Sequence, residues 1–254
     1  MQIRVSCVKY LNSLPFIQGI QSHSIHNSIH LSLDTPAECY QKLSEGTVDI
    51  GLVPVTYLYE ETKGRVISRY CIGSRGKVKS VILVANQSLE TVDNIYLDYQ
   101  SKTSVNLVKV LARHHWKRDF NFIKAKPGFE SSPIPSSAAY IIIGDRAFDY
   151  YNKGLKIYDL GEEWFIFSGL PFVFACWTSN KQLPEFFISE FNDALNKGLK
   201  DIKKLIEEIR PQKHYSNIDF NEYFQKNIHY NYNENEQEGL KLFLNLLAHS
   251  PSIF

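Results

Sequence analysis

Four short polar turns interrupt apolar stretches of this 254-residue sequence: YLNS (10–13), GSRGKVKS (73–80), DYQSKTS (98–104) and IGDRA (143–147). Asn12 offers an amide, Ser74 and Ser80 offer hydroxyls, and Ser101, Thr103 and Ser104 cluster three more beside Lys102. Such groups hold carboxylates or phosphates where strands of an open α/β sheet end, because unpaired N–H groups and helix dipoles converge there. YLNS and SKTS each run directly into a segment patterned as a helix. SKTS reads equally as a capped helix beside a solvated lysine or as an anion site. GSRGK has neither Walker nor GxGxxG spacing and reads as a tight turn rather than a phosphate cradle. His114-His115, near a helix end, reads as a solvated face that suits the dipole, not as a metal site. Glu60-Glu61 and Glu162-Glu163 are adjacent pairs, which do not face each other on a helix. GLPF (169–172) reads as a turn into a strand. Cys7, Cys39, Cys71 and Cys176 are widely spaced, with no CxxC or Cys/His cluster, so buried free thiols and no metal are expected.

The elements that must position these turns alternate. IRVSCV (3–8) reads as a buried strand, followed by a helix with Pro15 in its first turn. IHLSLD (29–34) alternates as a strand, and Thr35-Pro36-Ala37-Glu38 has the chemistry of a capping box, with Gly46 placed to end the helix. VDIGLVPV (48–55) is a continuous apolar strand of the kind buried in a parallel sheet. Strands are further expected at 65–73, 79–85, 94–98, 120–125, 138–145, 155–161 and 171–179, with a helix at 105–116. PEFFISEFNDALNKGLKDIKKLIEEI (184–209) has the spacing of one long amphipathic helix, and 239–250 closes the chain as another. The pattern argues for α/β, with a middle unit near 86–171 and the two ends, 1–85 and 172–254, forming the other. A net charge of +1, 44% hydrophobic and 22% charged residues suit a globular protein with no nucleic-acid or membrane partner. The absence of an apolar span or a signal-like start points to a cytoplasmic protein.

The same stretches, taken in order, resemble a known family. YLNSLP, PAECYQKLSEGTVDIGLVPVTYL (36–58), CIGSRGKVKSVIL (71–83), LDYQSKTSVNL (97–107), IIIGDRAF (141–148) and DLGEEWFIFSGLPFVFACW (159–177) are similar to the chorismate dehydratases of futalosine-dependent menaquinone biosynthesis. The resemblance covers about residues 3–178 and leaves the tail without a motif. It implies a two-lobed, type II periplasmic-binding-protein-like α/β fold with a ligand cleft between lobes and crossings near 84–88 and 170–174. It implies loss of water from chorismate to give 3-[(1-carboxyvinyl)oxy]benzoate, with no metal or organic cofactor. By the same resemblance Asn12 and Ser80 are the catalytic candidates. Tyr10, Pro54, Ser74, Ser101, Thr103, Ser104, Gly144, Asp145, Gly169 and Pro171 are expected to bind the substrate. Lys102 stands where the family pattern has Arg, and lacks the planar fork for bidentate carboxylate binding. FESSPIPSSAAY (129–140) also departs from the family. The alternative is a non-catalytic binding protein for a small carboxylate.

Overall fold

The computed structural model describes residues 2–61, 63–211 and 218–249. β1 (Ile3–Val8) leads through a single 3-10 turn into α1 (Leu14–Ser22), which carries Pro15 in its first turn. β2 (Ile29–Asp34) is followed by α2 (Pro36–Ser44), whose capping box forms in full. Thr35 Oγ1 accepts from Glu38 N at 3.3 Å, and Glu38 Oε2 accepts from Thr35 N at 2.7 Å. Gly46 (φ 71°) then turns the chain through the left-handed region. Next come β3 (Ile50–Pro54), α3 (Tyr57–Glu60), β4 (Arg65–Ser74), β5 (Val81–Ala85) and β6 (Asn94–Leu97). α4 (Lys102–Leu111), β7 (Asn121–Lys124), β8 (Ala138–Ile143), β9 (Lys156–Asp159) and α5 (Leu160–Ser168) follow. β10 (Phe172–Ser179), α6 (Glu185–Lys200), α7 (Ile202–Ile209), the short α8 (Phe220–Glu222), β11 (His229–Asn231) and α9 (Glu234–Ala248) complete the chain.

The chain forms two compact units, Met1–Gly73 with Val173–Asn233, and Ser74–Phe172 with Glu234–Phe254. The first is built on a six-stranded sheet of order β11-β4-β10-β3-β1-β2. β1 runs parallel to β2 and β3, while β10 is antiparallel to β3. Every residue of β3 is buried, as its unbroken apolar run predicts. α1 and α6 meet through glycines. A Cβ on Gly19 would lie 2.2 Å from the Ala194 carbonyl oxygen, and one on Gly198 would lie 1.8 Å from that of Pro15. Phe16 and Phe191 pack edge-on against Trp177, with ring centroids 5.9 and 5.0 Å away.

The second unit holds a five-stranded sheet of order β7-β6-β8-β5-β9. β6 is parallel to β7 and β8, and β5 is antiparallel to both β8 and β9. Ile82, Val84, Tyr140 and Ile142 are among its core. Trp164, Phe172 and Phe243 form an aromatic cluster that seats α9, with centroids 5.0–6.0 Å apart.

The structure corrects several expectations. β5 pairs with β8 and β9, and Phe243 of α9 packs on Trp164, so 74–85 and 234–249 join the second unit rather than the first. The boundaries fall after Gly73, Phe172 and Asn233, one more than the two expected crossings. Residues 159–161, read as the end and turn of the 155–161 strand, are instead the N-cap and first turn of α5. Its exposed Phe165 and Ile166 beside buried Trp164 blur the helical period. The expected 184–209 helix breaks at Asp201 into α6 and α7. The 105–116 helix instead starts at Lys102 and loosens into a π-helical turn at Ala112–Trp116. The last helix begins at Glu234, and β11 occupies part of the polar stretch before it.

Candidate active site

In the first unit the carboxyl ends of parallel β1 and β3 bring Tyr10, Asn12 and Pro54 to one edge of the sheet. The Asn-Ser pair does not cap α1. Ser13 Oγ instead donates back to the Val8 carbonyl and to Tyr10 O (2.8 Å), closing the turn on the strand it leaves. Tyr230 Oη donates to Asn12 O at 3.0 Å, fixing that backbone from β11. Asn12 and Tyr10 are half-buried and Pro54 is buried. Thr56, two residues beyond Pro54, was not singled out in the sequence. Its hydroxyl is buried and has no hydrogen-bond partner in the unit.

At the carboxyl end of β2, the buried Asp34 carboxylate accepts from Ser6 Oγ and Ser32 Oγ, both at 2.6 Å, and from Lys42 Nζ at 2.7 Å. Burial raises its pKa, but the Lys42 and serine bonds outweigh it and hold the group below the ordinary range.

The second unit brings more together. β6 and β8 end at the same edge because they are parallel, and antiparallel β5 and β9 place the start of β5 and the end of β9 there too. That edge gathers Ser80, the 98–104 turn, Gly144 with Asp145, and Asp159. Ser80 therefore sits at the amino end of its strand, not at a carboxyl end, and reaches the site only through antiparallel pairing. Gly144 N donates to Ser80 O at 2.8 Å, joining two of the motifs directly. Ser80 is 1% exposed.

At the start of α4, Ser101 Oγ accepts from Ser104 N at 3.2 Å and lies 3.0 Å from Ser104 Oγ, so Ser101 is the cap. Thr103 is buried, and its Oγ1 has no partner in the unit. One SKTS hydroxyl thus caps the helix, and that of Thr103 lies buried beside its amino terminus. Lys102 is exposed. Ser74 Oγ is likewise buried and unpartnered. Gly169 (φ 69°) caps the far end of α5, and Pro171 O accepts from Trp164 Nε1 at 3.3 Å, so both have structural work at the opposite end of that helix.

Charged groups missed in the sequence brace this edge. Asp98 is 4% exposed and binds Arg146 Nη2 through Oδ2 at 2.7 Å, while its Oδ1 accepts from Gln100 N at 2.7 Å. Arg146 also pairs with Glu130 at 2.5 Å. Burial pushes the Asp98 pKa up against the pull of Arg146. Arg75 grips the fully buried Glu236 at 3.0 Å (Nε) and 2.9 Å (Nη2), so the tight turn after β4 is tied to the C-terminal helix. Asp159 accepts from four backbone N–H groups, those of Val78, Lys79, Gly161 and Glu162. Burial raises its pKa, against which those donors work. The D-x-x-E spacing of Asp159 and Glu162 was the available signal for the last of these. His115 Nε2 lies 3.1 Å from Glu163 Oε2, which also accepts from Trp116 Nε1 at 2.7 Å, so this histidine is bonded rather than solvated. Among the described residues no three His, Cys, Asp or Glu side chains group to hold a metal ion.

The sequence matches the menaquinone biosynthesis family over residues 3–249, nearly its whole length. The chain belongs to that family. It is 26% identical over 238 residues to a chorismate dehydratase of Thermus thermophilus, covering 84% of each chain. In structure it resembles an Archaeoglobus fulgidus protein (TM-score 0.71, 16% identity, 97% of this chain and 96% of that one). It also resembles a Candida albicans protein described as having the generic periplasmic binding protein fold (TM-score 0.69, 16% identity, 99% and 91%). The periplasmic aliphatic sulphonate binding protein of Escherichia coli is a third (TM-score 0.65, 14% identity, 97% and 86%). The fold of this family member is therefore the periplasmic-binding-protein α/β fold, as the motifs implied.

Proposed function

We propose that this protein is a chorismate dehydratase, a hydro-lyase that converts chorismate to 3-[(1-carboxyvinyl)oxy]benzoate for menaquinone biosynthesis. The observation that carries this reading is the similarity to the Thermus thermophilus chorismate dehydratase across most of both chains. The polar edge of the second unit supports it. The buried, unpartnered Thr103 hydroxyl beside the α4 amino terminus suits a carboxylate, and chorismate has two.

The substrate carries most of the driving force. Its C3 hydrogen is vinylogous to the ring carboxylate, so removing it gives a delocalised dienolate. Collapse of the dienolate breaks the C4–O bond, expels hydroxide, and makes the ring aromatic. The lost proton and hydroxide leave as water. The protein's task is then to orient two carboxylates and stabilise developing charge. In this reading the Thr103 and Ser104 hydroxyls bind a carboxylate, and Asn12 and Ser80 donate hydrogen bonds near the reacting ring. The substrate's enolpyruvyl carboxylate serves as the proton acceptor. Four buried free cysteines suit a reducing compartment, and we place the protein in the cytoplasm.

The test is incubation of purified protein with chorismate and chromatographic detection of the aromatic enolpyruvyl ether. Turnover is expected. Binding without turnover would favour a carboxylate-binding protein, and neither would overturn the assignment.

A further inference from the structure

Lys79, the residue before Ser80, has φ 61°. Left-handed backbone is uncommon outside glycine and persists where the surroundings over-determine it. The other non-glycine case among the described residues, Lys117, closes a helical turn, where such a conformation is ordinary. Lys79 lies instead in the connection between β4 and β5, so something else must hold it.

What holds it is one carboxylate. Asp159 Oδ2 accepts from Lys79 N at 2.7 Å, while Oδ1 accepts from Val78 N at 3.0 Å. Oδ1 also accepts from Gly161 N at 3.0 Å and Glu162 N at 3.2 Å at the start of α5. Capping α5 needs only Oδ1. The second oxygen, and its reach back some 80 residues along the chain, serve the loop. The same loop is pressed onto α5 at Gly161, where a Cβ would lie 2.5 Å from Ser74 Oγ and 2.7 Å from Gly76 O. Gly144 N fixes Ser80 O from the other side at 2.8 Å.

We propose that Asp159 is a positioning residue for Ser80: its carboxylate locks the Val78–Lys79 backbone in the left-handed turn that aims the Ser80 hydroxyl. This rests on the reading of Ser80 as a donor to substrate. Asp159 touches no reacting atom and acts only through the loop.

Asp159→Asn tests the idea selectively. Asparagine caps helices as well as aspartate does, so α5 keeps its cap. Its NH2 group, however, faces the Lys79 N–H and cannot accept from it. The expected result is a kcat lower by about 10²-fold with KM within about threefold, as for a misplaced catalytic group. Adding Lys79→Gly, which adopts positive φ without strain, should recover about tenfold of the loss. Activity of Asp159→Asn within about threefold of wild type, or no recovery in the double variant, overturns the proposal. Should Asp159→Asn fail to fold, Lys79→Asn and Lys79→Val are compared. Both remove the ammonium group, but only Asn tolerates left-handed backbone, so kcat should be lower for Val by about fivefold or more. Equal rates overturn the proposal. Amide exchange separates this inference from the functional one. In Asp159→Asn the Lys79 amide should exchange about tenfold faster while those of β5 keep their protection, whether or not wild type turns over chorismate. Unchanged exchange at the Lys79 amide sinks the clamp alone, and an inactive wild type with the clamp intact sinks only the dehydratase reading.

Discussion

Thr103 and Ser80 are both buried hydroxyls, yet their environments set different tests. Thr103 Oγ1 has no partner in the unit, so Thr103→Val removes a buried unsatisfied group of the same shape. Stability should hold or rise by about 1 kcal/mol in thermal melts, while KM for chorismate rises by about tenfold, the worth of a hydrogen bond to a charged group. A fall in stability with unchanged KM would show that the hydroxyl serves packing. For Ser80→Ala and Asn12→Ala the expected loss is in kcat, by about 10²-fold each, as for removal of one donor to developing charge. Steady-state rates in folded variants check this, and losses of only a few-fold in both would end their assignment. Asn12 was visible in the sequence as an amide after an apolar strand. That Ser13 turns back to the strand instead of capping α1 was not, because spacing alone does not say which carbonyl a hydroxyl will find.

Helices α5 and α9 matter for the site although neither contributes a candidate donor. The first turn of α5 lies against the 74–76 segment with no room for a side chain at position 161. Gly161→Ala should therefore cost about 1–3 kcal/mol through overpacking and lower kcat as the loop shifts. Thr35→Ala, at the capping box of α2, supplies the comparison: about 1 kcal/mol lost in a denaturant melt with chorismate turnover retained. If both variants lose equal activity per unit of stability, the contact at Gly161 has no special bearing on the site. The capping box was legible because Thr35, Pro36 and Glu38 are neighbours in sequence. The α5 packing was not, because residues 74–76 and 161 meet only in the fold.

Across the whole molecule, acid is the expected weakness. Asp49 binds Arg4 (3.0 Å) and Lys181 (2.6 Å), joining β1, the start of β3 and the end of β10 within the first unit. The Arg4 hydrogen bonds and Lys181 hold its carboxyl well below the usual range, outweighing burial. A folded pKa below the unfolded value means the stabilisation is complete above about pH 4, the unfolded aspartate pKa, and is lost as pH falls toward the folded value. The stability gap between wild type and Asp49→Asn, measured by urea melts, should therefore be full at neutral pH and shrink below about pH 4. A gap that stays constant down to about pH 2 would mean the carboxylate's charge contributes nothing.

The sequence by itself determined the α/β class, most strands, the capped start of α2, the polar turns and, through their order, the family. These rest on local pattern: apolar runs, caps and short motifs that need no distant partner. The tertiary structure decided the rest. It moved β5 and α9 into the second unit, because strand pairing and the seat of Phe243 on Trp164 are choices of partner that no local pattern records. It set Ser80 beside Gly144 and the 98–104 turn through antiparallel pairing of β5. It also gave Asp98, Glu236 and Asp159 their roles, since each binds a segment far away in the chain.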